Sequence, residues 1–134
     1  MQMVVLFVVQ GLCFAVLDAA MLTRVMQPLF RQHIGSLMLD GLRIGPAVGF
    51  YILYLAGLTL LVSLPALRAG SLLQAAMGGA ILGAVAYGTY ELTSHAIMKD
   101  WHIRMVLTDM AWGTLLSALT ATVGVAAARA VSPG

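Results

Sequence analysis

Three carboxylates in this chain sit inside or at the edge of long apolar runs. Asp18 interrupts the run 3–22, Glu91 follows directly on 72–90, and Asp109 lies within 105–128. An ionisable group at bilayer depth costs about 2.5–3.5 kcal/mol even on the lowest insertion scale, so residues of this kind mark ligand sites, proton relays or buried pairs. Carboxylates that share a low-dielectric pocket cannot all stay charged without compensation. They hold a proton between them, or a cation neutralises them. Arg24 and Arg104 at helix ends are within snorkelling reach of such a pocket.

The spacings give these groups faces. Gln10, Phe14 and Asp18 recur every four residues, as do Tyr87, Glu91 and His95, while Asp109, Gly113, Ser117 and Thr120 form a small and polar stripe. Tyr51 and Tyr54 fall in the first turns of another apolar run. Four helices of alternating direction bring Asp18, Glu91, Asp109, Tyr51 and Tyr54 to one end of a bundle, and the polar stripes turn inward because lipid cannot solvate them. The expected product is a polar pocket open toward the connections 23–45 and 99–104, with the segment 28–39 as its lid. Asp18, Glu91, Asp109, Tyr51 and Tyr54 are its ligand- or proton-binding candidates. Glu91 and His95 lie four apart and could enter an oxygen-rich metal site. No HExxH, paired ExxH or cysteine cluster accompanies them, so no metal is assigned.

The elements that position these groups follow from composition. The chain has 134 residues, 61% of them hydrophobic and 9% charged. A soluble domain carries about 25% charged residues, so this is an integral membrane protein. Its seven Lys and Arg are scattered, which leaves no footprint for nucleic acid. The single cysteine, Cys13, excludes a disulfide framework. The spans predicted are about 3–23, 46–67, 71–98 and 103–130, a single all-α domain over 1–134 built as a four-helix membrane bundle. The first run lacks a basic leader, and Asp18 stands where a cleavage region would be neutral, so it reads as a retained helix.

Within 23–45, Pro28 suits a helix start. Phe30, Ile34, Leu37 and Met38 then alternate with Arg31, Gln32, Gly35 and Ser36, a pattern that fits a short amphipathic interfacial helix or an ordered loop packed on the helix ends. Pro65 is expected to bend or end the second span. Ser71 with Gln74 opens the third as a capping box. Gly79 and Gly83 in the third span and Gly113 in the fourth carry small-xxx-small spacing for close packing. Arg24, Arg31, Arg43, Lys99 and Arg104 fall on one side, against Arg68 and Arg129 on the other, which makes the two basic connections cytoplasmic.

With these residues laid out, the chain resembles the bacterial membrane-protein family known as domain of unknown function 2177. The carriers are Leu17-Asp18, Phe50-Tyr51 with Tyr54 and Gly57, Pro65, Tyr90-x-Leu92-Thr93, Trp101, and Asp109-x-x-Trp112-Gly113. The resemblance spans nearly the whole chain and brings Thr93 into the candidate set. The family's Asp-Leu-Thr-Asn run is replaced here by Glu91-Leu92-Thr93-Ser94, Met21 stands where a Trp is common, and His95 lies outside the pattern. The resemblance implies a multi-pass protein of the bacterial inner membrane and supplies no activity or cofactor.

Three functions compete. The first is binding or translocation of a small ligand, ion or lipid headgroup at a proton-linked carboxylate cluster. The second is a membrane-embedded enzyme acting on a lipid-soluble substrate. The third is an accessory subunit of a larger membrane complex. Membrane lipid is the expected partner in each case, and four spans are few for a monomeric transporter, which favours a homo-oligomer under the first reading.

Overall fold

The computed structural model describes residues 1–39 and 43–131. Asp40, in the first connection, lies outside the described residues. Among the described residues there are six α-helices: α1 (Gln2–Met21), α2 (Gln27–Ile34), α3 (Ile44–Leu58), α4 (Leu64–Ala69), α5 (Leu72–Ile97) and α6 (Ile103–Ala130). Among the described residues they merge into four helical stretches long and apolar enough to cross a membrane, with no strand.

The first two stretches are longer than the apolar runs suggest. A π-helical turn, Leu22–Met26, joins α1 to α2, and a second, Thr59–Ser63, joins α3 to α4. Each precedes a proline, Pro28 or Pro65, by two residues. A proline lacks the N–H for the carbonyl four residues back and its ring crowds that carbonyl. The wider turn relieves the crowding and keeps the chain helical. The expected break after residue 23 is therefore absent. The amphipathic segment is α2, continuous with α1, and the second stretch runs through Pro65 to Ala69. The unbroken stretch Gln2–Leu37 has 36 residues. At 1.5 Å per residue it is roughly 54 Å long, well beyond a core of about 30 Å, so its α2 end extends past the hydrocarbon.

Gly70 closes α4 in the left-handed conformation, φ 66°. Ser71 then caps α5, its Oγ accepting from the Gln74 N–H at 3.0 Å. The helices pack around α6. At the end holding both termini, Leu6, Leu58, Val62, Ala66, Ala75, Ala121, Val125 and Ala128 form one apolar layer. Phe14, Tyr54, Leu55 and Leu116 form the middle layer, and Ile34, Trp101, Met105 and Val106 close the other end under α2.

The α5–α6 contact is backbone on backbone. A Cβ at Gly79 would lie 2.5 Å from the Ser117 carbonyl oxygen and 2.9 Å from Ala118 Cα, and one at Gly83 would collide with the Gly113 carbonyl. Opposite this buried face, α5 exposes Leu73, Met77, Ile81 and Val85 at four-residue spacing. The long helices α1, α3, α5 and α6 all expose large apolar side chains, a surface that hydrocarbon covers. Between α1 and α3, buried Gln10 donates to Thr59 Oγ1 at 2.8 Å and accepts from Ser63 Oγ. These bonds satisfy the polar groups of the second π turn's face without water.

Candidate functional site

Above that layer the polar side chains of four elements converge. Asp18, one turn beyond buried Phe14 on α1, is bound by a donor on each oxygen. The Tyr51 hydroxyl of α3 donates to Oδ2 at 2.5 Å, and the Trp112 indole of α6 donates to Oδ1 at 3.2 Å. That is the arrangement of an acceptor-only carboxylate held by neutral donors.

Glu91 is fully buried on α5. Its Oε1 accepts from the Trp101 indole at 2.9 Å, while Oε2 meets no donor. Asp109, only 8% exposed, stands next to Glu91.

Trp101 organises this corner. It sits in the α5–α6 connection, 5% exposed, with the edges of Phe30 and Tyr90 against it at centroid distances of 5.2 and 5.4 Å. Its carbonyl oxygen meets His95 Nδ1 at 2.6 Å. The His33 ring of α2 stacks on His102 at 4.3 Å, so α2 is fastened over the connection by Phe30 and His33 together.

Asp18 and Asp109 face a common cavity of about 540 Å³. Its wall also carries Tyr51, Tyr87 and Tyr90, the rings of Phe30 and Phe50, and Met26, Gln27 and Met38. Gly113 sets one wall, since a Cβ there would penetrate the Tyr87 ring, which lies across the glycine. The Tyr54 and Tyr87 rings meet edge to face at 6.1 Å. A volume of this size, mostly apolar with a few convergent polar groups, suits a small-molecule site.

The structure thus brings together Asp18, Asp109 and Tyr51 on the cavity wall, with Glu91 directly behind Asp109. Other sequence candidates lie elsewhere. Tyr54 is buried below the wall, its hydroxyl paired with Ser117 Oγ at 2.5 Å. Thr93 is exposed: two residues beyond Glu91 it is turned about 200° around the helix, away from the cluster. His95 is exposed with its Nδ1 at the Trp101 carbonyl, so it does not join Glu91 at one site. Among the described residues, no three His, Cys, Asp or Glu side chains are grouped to hold a metal ion.

The candidate set drawn from the sequence held neither tryptophan, and neither Tyr87 nor Tyr90. The missing signal was hydrogen-bond accounting. An indole N–H buried away from water needs an acceptor, and Trp101 finds Glu91 while Trp112 finds Asp18.

Outer faces of hydrocarbon and polar side chains meeting inside define a multi-pass α-helical membrane protein. More narrowly, the chain belongs to the family of predicted membrane proteins designated DUF2177, whose model matches residues 3–126. No curated protein and no solved structure matches the chain.

Proposed function

We propose that this is an inner-membrane binding or translocation protein of bacteria, in which the cavity between Asp18 and Asp109 receives a small ligand, ion or lipid headgroup. The observation that carries the reading is the cavity itself: about 540 Å³, with two carboxyl groups, three tyrosines and Gln27 on a mostly apolar wall. Carboxyls that only tied helices together would have no use for an open chamber beside them. On this reading occupancy is linked to a proton, because carboxylates that share a low-dielectric pocket cannot all stay charged without compensation. The excess of basic residues in the two connections supports an orientation with this end of the bundle toward the cytoplasm.

The test is occupancy. Wild-type protein and an Ala47→Trp variant, which places an indole on the cavity wall, are extracted from bacterial membranes and weighed intact by native mass spectrometry. The wild type retains a bound small molecule, and the variant loses it at unchanged helical content. Equal retention in both, or none in either, overturns the proposal.

A further inference from the structure

The lining of the cavity specifies a charge. Two carboxyl groups, Asp18 and Asp109, and five aromatic rings stand on the wall, and no lysine, arginine or histidine does. The basic residues nearest in sequence to the cavity's elements, Arg24, Arg31, Arg43, Lys99 and Arg104, are all exposed. Asp18 is bound only by neutral donors, the Tyr51 hydroxyl and the Trp112 indole, which orient it without cancelling its charge. Asp109 is more than nine-tenths buried and opens on the cavity, and the polar group in its reach is another carboxyl, Glu91. Two carboxyl groups thus face the chamber with no cationic side chain beside them, and their negative charge has no partner inside a low-dielectric wall. An anion would be repelled there, and a neutral ligand would leave the charge uncompensated.

The aromatic rings sharpen the class. Phe50 stacks on Tyr54 at 5.5 Å and meets Tyr51 at 6.2 Å, and Tyr87 and Tyr90 face the same space from α5. Ring faces beside carboxylates are the surroundings that attract an organic ammonium group, through the ring quadrupole and direct Coulomb attraction together. A bare metal ion would need several oxygen ligands at close range, whereas the methionines, Phe30 and Leu22 on the wall suit a hydrocarbon body.

We infer that the ligand of this cavity is an organic ammonium ion carrying an apolar body, its charged head between Asp18 and Asp109 and its body along Phe30, Phe50 and Met38 toward the lipid. The inference rests on the binding reading above and names its ligand class. Two sources share this chemistry, a free lipophilic amine and the amino headgroup of a membrane lipid.

The experiment is a thermal-shift and displacement series on the full chain in dodecyl maltoside micelles. The probes have equal chains: decyltrimethylammonium, decyl sulfate and neutral decanol. The expected result is stabilisation by decyltrimethylammonium alone, weakened about tenfold or more by Asp18→Asn and abolished by Ala47→Trp. Phe50→Leu, which keeps the apolar wall and removes a ring, weakens it by a smaller factor, so the inference stays testable if Asp18→Asn does not fold. Displacement of the probe by phosphatidylethanolamine vesicles and not by phosphatidylglycerol vesicles identifies a lipid headgroup. Displacement by free decylamine alone identifies a free amine. If decyl sulfate or decanol stabilises equally well and Ala47→Trp blocks it, the ammonium class is wrong and the cavity reading stands. If no probe distinguishes wild type from Ala47→Trp, both are wrong.

Discussion

Alanine in place of Gly79 makes the protein less stable, although alanine is the better helix former. The geometry sets the size of the effect. A Cβ at Gly79 would stand 2.5 Å from the Ser117 carbonyl oxygen and 2.9 Å from both Ser117 C and Ala118 Cα, all backbone atoms of α6. No side chain can swing aside, so the two helices must part by roughly 0.9 Å, a gap that forfeits a quarter to a half of the dispersion attraction along the contact. Overpacking of this kind costs about 1–3 kcal/mol, against a gain of up to about 1 kcal/mol from helix propensity. The net expectation is a loss of about 1–2 kcal/mol, the balance of those two terms.

Gly57 on α3 provides the control, since a Cβ there meets nothing within 4 Å. Gly57→Ala has the propensity gain without the collision and leaves stability unchanged or raised. The assay is equilibrium unfolding of both variants in dodecyl maltoside micelles, followed by circular dichroism. A Gly79→Ala protein as stable as Gly57→Ala would refute the backbone-on-backbone contact of α5 and α6. Gly79→Ala combined with Gly83→Ala should cost less than the two single losses together, because helices already parted at one site relieve the next.

Trp101→Phe keeps a ring against Phe30 and Tyr90 but leaves Glu91 Oε1 buried without its donor, and should cost about 1–3 kcal/mol. Glu91→Gln in the same background recovers part of that loss, because the amide carries no charge; unfolding midpoints that do not move would remove Trp101 from its role. For orientation, single cysteines at Arg31 and Lys99 in a Cys13→Ala background should react with an impermeant maleimide only after cells are permeabilised. Reaction of both sites in intact cells would invert the topology.

Much of the architecture was legible because lipid imposes it. Run lengths near the bilayer thickness, glycines at positions 79, 83 and 113, and an alternating topology suffice to bring Asp18, Glu91 and Asp109 toward one end. What stayed hidden depends on context that a linear pattern lacks. In water the carbonyl freed by Pro65 could bond solvent and the helix could end there. In hydrocarbon it must be satisfied within the protein, and the helix widens into a π turn and continues. The Asp18–Trp112 bond joins residues 94 positions apart, and it depends on how α1 and α6 are rotated about their axes. Thr93 entered the candidate set through its neighbours in a motif, and its place on the outer side of α5 shows how two residues of helix separate faces.

The carboxyl arrangement is open to direct measurement by solid-state NMR of the protein in lipid, with the Asp and Glu side-chain carboxyl carbons labelled. The account predicts a carbon–carbon correlation between Glu91 and Asp109, absent in an Asp109→Leu control, and a concerted shift of the Asp18 and Asp109 signals when decyltrimethylammonium is added. Absence of the Glu91–Asp109 correlation in a folded sample, or carboxyl signals that ignore the ammonium probe, would contradict it.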